Sequence, residues 1–293
     1  MLQPVLQSPL APPLQAPIGD FGDFGDLSFV SRFGAGLSAA YFLADLGSKR
    51  GMVDGVLNPV VRVRRTNGDL RSFTANDITT GALLAWVGTG GSDNGLIAKW
   101  YDGSGNHRDA TQDTVADMLK IVDAGVLVTQ GGEPSIWFDG DSFISYSGDF
   151  QVGTAASVII VGQTGSTSGT LFDSIAGNDY VVSFSQGSTV TAVSGNTGSP
   201  TYRVDGADQS FPTRGAAYAA YATGAQNIIT VTNVNFNLGG AGSSYDTGII
   251  IWSYYTSQVR QAGKLQGFIV ANDSTKAIEM EYALAKEYNI TLA

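Results

Sequence analysis

The chain has 293 residues, 43% of them hydrophobic and only 14% charged, and its 16 basic and 26 acidic side chains leave a formal net charge of −10. A surface of that sign repels nucleic-acid phosphates and anionic lipid, so neither is an expected partner. Cysteine is absent and His107 is the single histidine, which excludes disulfides, thiolate metal sites, thiol catalysis and multi-histidine metal centres.

The first 31 residues read as an extended arm. MLQPVLQSPLAPPLQAP carries five of the nine prolines, and IGDFGDFGDLSF follows it. Proline fixes φ and lacks an amide hydrogen, so this stretch is polyproline-like and has no core of its own. Leu2, Val5, Leu6, Leu10, Leu14, Ile18, Phe21 and Phe24 are the apolar anchors it could offer another subunit. The same start lacks the basic and apolar regions of a signal peptide. No apolar run approaches the ~18 residues of a membrane-spanning helix, so no membrane insertion is expected.

From residue 32 to 293 a single domain is expected. GAGLSAAYFLADLG (34–47) reads as a short helix, with Ser38 as cap and Gly47 as stop. NPVVRVRRTNGDLRSF then alternates, and Asn67-Gly68 predicts a type I′ hairpin. Arg62, Arg64, Arg65 and Arg71 make a local basic strip. TANDITTGALLAWVG reads as a capped helical turn, and GLIAKWY as a strand. From residue 119 short apolar runs follow one another, among them KIVDAGVLV, PSIWFDG, ASVIIVGQT, AYAAYAT, NIITVTNVNF and LQGFIVAN. Their Gly/Asn/Asp-rich joints predict a jelly-roll or sandwich of two sheets. DSTKAIEMEYALAKEY is the one long helix, with Asp273 or Ser274 as cap, Asn289 as stop, and Ile278, Tyr282, Ala285 and Tyr288 on one face. Of the 26 acids, 22 are Asp, a residue of turns rather than helix interiors.

The loop WYDGSGNHRDATQ (100–112) holds the histidine and is rich in turn formers. Asp102 and Asn106 suit Asx turns, and Gly103 and Gly105 supply unusual φ. It is therefore read as a structural loop with no catalytic residue. Asp102, Asn106 and Asp109 are its candidate ligand or Ca²⁺ contacts, although the spacing lacks the glycine and bidentate glutamate of a calcium loop. No other cofactor is implied. Trp252, Tyr254 and Tyr255 are a further aromatic group, suited to core packing or to stacking on sugars.

PVVRVRRTNGDLRSFTANDITTGALLAWVG, KWYDGSGNHRDATQ, LKIVDAGVLVTQGGEPSIWFDGDSFISYS and GKLQGFIVANDSTKAIEMEYALAKEYNI form an ordered series over roughly residues 35–290. The series resembles a concanavalin-like (LamG-like) β-sandwich module common in bacteriophage particles. Its front part is similar to the catalytic domain of the fungal arabinofuranosidase B family, where a V-x-V-R-R strand and a Y-D-Q-S-G-N-x-x-D loop recur in this order. The sequence departs from those enzymes. It has Gly103 for the loop's Gln, no cysteines, no segment expected to form the family's trefoil sugar-binding domain, and no glutamate between Glu133 and Glu279 where the family places its nucleophile. The resemblance, so qualified, implies a mainly β concanavalin-like fold with short N-terminal helices, one C-terminal helix and an extended arm. The function expected from it is a non-enzymatic structural virion protein, as capsid decoration, head fibre or tail fibre. It would join other virion proteins through residues 1–31, form a homo-oligomer such as a trimer, and bind a host surface glycan. The alternative is a glycoside hydrolase of arabinofuranosidase type.

Overall fold

The computed structural model describes residues 27–148, 150, 152–165, 168–170, 172–174, 183–192, 198–221, 224–236, 249–251, 253–254, 259–260, 262–272 and 274–293. The anchors of the arm, from Leu2 to Phe24, lie outside the described residues, as do Trp252 and Tyr255.

Helix α1 (Phe29–Phe33) leads through a 3₁₀ turn into β1 (Leu37–Phe42). Two small hairpin strands follow, β2 (Met52–Val53) and β3 (Val56–Leu57), then β4 (Val61–Arg65), β5 (Leu70–Phe73), α2 (Ala75–Thr79) and α3 (Ala82–Val87). The middle of the chain gives β6 (Gly95–Trp100), β7 (Ala110–Thr111), β8 (Leu119–Asp123), β9 (Val126–Leu127), β10 (Thr129–Gln130), β11 (Glu133–Pro134), β12 (Ile136–Asp139), β13 (Ile144–Tyr146) and β14 (Ala156–Thr164). Then come β15 (Ser168–Thr170), β16 (Phe172–Ser174), β17 (Ser183–Ser185), β18 (Gly198–Val204), β19 (Ala207–Gln209), α4 (Arg214–Tyr221) and β20 (Asn227–Val234). The last elements are β21 (Ile249–Ile251), β22 (Ser253–Tyr254), β23 (Val259–Arg260), β24 (Ala262–Ala271) and α5 (Ala277–Glu287).

One antiparallel ladder runs β16-β21-β13-β7-β6-β8-β12-β24-β14-β20-β18-β19, and β4, β5, β1 and β9 join it off this path. It folds over on itself as a sandwich. Tyr41 of β1 lies 5.7 Å from Trp100 of β6 and 6.2 Å from Phe268 of β24, although β1 and β6 are not ladder neighbours. The inner core gathers Val61, Ile97, Trp100, Ile136, Phe138, Val158, Val231 and Phe268, all fully buried. A second core lies on the far side of β1, β14 and β24, where Phe29, Val30 and Phe33 of α1 and Met280 and Leu284 of α5 cover Phe42, Ile159 and Ile269. The helix α1 therefore spans residue 31 and packs with the sandwich.

The mainly β fold with a C-terminal helix is as the sequence predicts, but four local expectations change. Residues 37–42 form a strand, not a helix: every residue of LSAAYF is buried, and a continuous apolar run suits a strand covered on both faces. AYAAYAT is not a strand; its first residues end helix α4, whose start is capped where Thr213 Oγ1 accepts from Ala216 N at 3.1 Å. Alanine, with no side-chain entropy to lose, favours that outcome. The Asn67-Gly68 hairpin is a type I turn with a bulge, because only Gly68 has positive φ (97°) and Gly68 N donates to Arg65 O. A two-residue turn of the primed kind appears instead at Ala124-Gly125, φ 48° and 77°, between β8 and β9. Finally, α5 buries Ala277, Met280, Glu281, Leu284 and Ala285, whereas Ile278 is 43% exposed. Its N-cap is Lys276, and Asn289 (φ 52°) follows its C-cap in the left-handed conformation.

Candidate functional site

The 100–112 loop is built against the edge of β1 that β24 leaves open. Gly103 N donates to Ala40 O (2.7 Å), and Asn106 Nδ2 donates to Leu37 O and Ser38 O (both 2.9 Å). Asp102 is fully buried. Its Oδ1 accepts from Ala40 N and Ser104 N (both 2.9 Å), and its Oδ2 from Ser104 Oγ (2.8 Å) and Arg108 N (3.1 Å). Arg108 Nη1 donates to Ser38 O at 2.6 Å, and the Arg108 carbonyl accepts from Tyr41 Oη. An exposed strand edge is a liability, and this loop supplies the missing partners. Asp109 meets the Arg50 guanidinium in a two-point contact, 2.9 Å to Nε and 2.8 Å to Nη2, and also accepts from Asp102 N at 3.1 Å. That contact raises the Arg50 pKa. Asp102, Asn106 and Asp109 are thus brought together, each engaged by protein donors or acceptors. Among the described residues no group of three or more His, Cys, Asp and Glu is placed to hold a metal ion.

Around this loop the polar side chains are linked. Arg50 Nη1 lies 2.7 Å from His107 Nδ1, and the positive guanidinium makes the ring nitrogen the acceptor. Arg50 and Lys99 flank the Tyr101 ring, at 5.4 and 5.7 Å from its centroid. Burial, partly offset by the Ser72 hydroxyl, raises the Tyr101 pKa. Of the arginine strip, Arg65 pairs with Asp69 and lies over Trp86, Arg62 is 3.7 Å from Asp54, and Arg64 donates to Gly68 O.

Sequence reasoning missed a groove on the other side of β1. A cleft of about 360 Å³ is lined by Phe29, Arg32, Asp45, Leu46, Lys286 and Glu287 among others. Asp45 also borders a second cleft of about 280 Å³, where Ser48, Asn58, Thr74 and Asn76 present hydrogen-bonding groups. The pair Asp45 and Glu287 is separated by 242 positions in sequence and is invisible to spacing. Partial burial, then the charges of Glu133 and Asp45, raise the pKa of the Glu287 carboxyl from its ordinary value. Asp139, by contrast, is lowered: burial opposes ionisation, but the N–H groups of Asp141 and Ser142 and the Ser142 hydroxyl stabilise the anion more. Asp45 and Glu287 thus place two carboxyls at one groove, and the pKa of one of them is raised.

No family model and no curated protein matches the chain. Solved structures do. An arabinofuranosidase complexed with arabinofuranosyl-α-1,2-xylobiose aligns with a TM-score of 0.54 and 13% identity over 91% of this chain. A glutamate-to-glutamine variant of a GH54 α-L-arabinofuranosidase soaked with 4-nitrophenyl α-L-arabinofuranoside gives 0.55 and 14% over 89%. A GH54 α-L-arabinofuranosidase soaked with a cyclic sulfate inhibitor gives 0.51 and 15% over 89%. The chain spans 64–66% of the length of these proteins. At such identities the likeness establishes the sandwich fold. It also corrects the expectation of a non-enzymatic virion, capsid or fibre protein: the structures that share nine tenths of this chain are arabinofuranosidases, and none of these matches is a phage protein.

Proposed function

We propose that this chain is a glycoside hydrolase of the arabinofuranosidase type. The observation that carries the reading is the correspondence of fold with arabinofuranosidases along nine tenths of the chain. The groove between α1 and α5 supports it: Glu287, with its raised pKa, suits the proton donor, and Asp45 the opposing carboxylate. The hydroxyls and amides of Ser48, Asn58, Thr74 and Asn76 beyond Asp45 suit sugar hydroxyls. Asp102, with four donors on its two oxygens and no exposure, serves the scaffold.

The test is release of 4-nitrophenol from 4-nitrophenyl α-L-arabinofuranoside. The parent is expected to turn it over, and Glu287→Gln and Asp45→Asn to lose about 10²–10⁴-fold in rate. A parent without turnover on arabinofuranosyl substrates overturns the enzymatic reading. Turnover that survives both substitutions overturns the groove assignment.

A further inference from the structure

Trp137 stands on the outward side of β12, between Ile136 and Phe138, which both enter the inner core. The ladder places a lysine on each side of it: Trp137 is the register partner of Lys120 on β8 and of Lys264 on β24. The row continues through Leu96 to Arg64 on one side and to Gln163 on the other, so it holds three cations and no acid in a chain of net charge −10. Lys120 Nζ lies 4.7 Å from the Trp137 ring centroid and 2.8 Å from Asp123 Oδ1; Lys264 Nζ donates to Thr129 O at 2.7 Å. Trp137 and Lys264 together with Asp123, Leu127, Thr129 and the exposed Val126 line a cleft of about 360 Å³. This cleft shares no residue with the groove of Asp45 and Glu287.

We propose that the Trp137 cleft is a separate binding subsite for an acidic saccharide, a glycan segment bearing uronate residues. The indole offers a flat apolar surface for the C–H face of a pyranose ring, while an ammonium at its side takes the sugar carboxylate. Both lysines are half-buried and held at fixed positions by Asp123 and the Thr129 carbonyl, which lowers the ordering cost of binding. Lys120 is paired with Asp123, so the cation left in the cleft lining to favour acidic over neutral sugar is Lys264, whose Nζ is held by the neutral Thr129 carbonyl.

The full chain is titrated with tetragalacturonate and with neutral xylotetraose, by calorimetry and by tryptophan fluorescence. Tetragalacturonate is expected to bind in the micromolar to millimolar range, more weakly as salt rises, and at least about tenfold more tightly than xylotetraose. Trp137→Ala and Lys264→Gln should each weaken it about tenfold, with Trp137→Phe retaining most of the affinity and each variant melting cooperatively. Absence of tetragalacturonate binding at millimolar concentration, equal binding of xylotetraose, or binding unchanged in Trp137→Ala overturns the proposal. Binding of polyglutamate as tight as tetragalacturonate overturns it too, since that would be charge without ring stacking. Loss of glycosidase activity bears on the groove and leaves this test untouched.

Discussion

Asp102 shows how one side chain can carry a loop. Its two oxygens receive four donors at 2.8–3.1 Å with no solvent contact, one of them the Ala40 amide on a strand 62 residues earlier. Removing the acceptor strands those donors in the interior, where each unmet group is expensive. Asp102→Ala is therefore expected to lose about 2–4 kcal/mol of stability, read by urea unfolding. Asp102→Asn should lose nearly as much, because its amide nitrogen would face an N–H or O–H donor. A variant as stable as the parent would show that the loop does not seal β1. Turn chemistry was legible from the Asp, Gly and Asn of residues 102–106, whereas the strand edge they protect was not, since periodicity does not tell a short apolar run such as residues 37–42 as buried strand from buried helix. Glu281 is a second buried acid. It bonds to Arg203 Nε at 2.9 Å and accepts from Gly206 N at 2.8 Å. Burial nonetheless raises its pKa against those favourable partners. The native state thus binds this proton more tightly than the unfolded chain does, so the contribution of Glu281 to stability is greatest in acid and falls as pH rises through its native pKa. Glu281→Gln lacks that titration. Its stability relative to the parent should climb as pH is raised from about 4 across the acid range to neutrality, and a difference independent of pH would refute the assignment.

Helix α5 shows what a periodicity argument can and cannot settle. Its position, its helicity and its stop near Asn289 follow from EMEYALAKEY and are found where the sequence places them. Ala285 and Tyr288 of the expected face are buried, but Ile278 is exposed and Glu281 is buried in its stead, because the helix meets two things at once. Met280 and Leu284 enter the second core, while Glu281 reaches across to Arg203 and the β18–β19 turn. A hydrophobic stripe alone gives no weight to a buried acid, so Ile278 and Tyr282 looked better than Glu281. Leu284→Asp is expected to cost at least about 3 kcal/mol, and Ile278→Asp no more than about 0.5 kcal/mol. Equal losses in thermal melts would mean that the helix is rotated from its observed setting.

On the scale of the molecule, β24 organises the sandwich. One of its edges is shared by β12 at residues 262–265 and β1 at residues 267–271, and β14 runs along the other. Leu265, Phe268 and Val270 face the inner core while Ile269 and Ala271 face the second. Both cores therefore wait on a strand that comes 225 positions after its β1 partner begins, since Leu37 pairs with Ala271 and Phe42 with Gly267. Contacts this distant cost chain entropy before they return any stability, so folding should be slow and late in β1. Two truncations separate the roles of strand and helix. A chain ending at residue 272 keeps β24 but loses α5 and so uncovers Phe42, Ile159 and Ile269; it should stay β-rich, bind hydrophobic dye and melt well below the parent. A chain ending at residue 261 removes the strand to which β1, β12 and β14 all pair and should show no cooperative unfolding transition at all. If that shorter chain melted cooperatively, the inner core would be complete without β24, and the late closure of the sandwich by its penultimate element would be wrong.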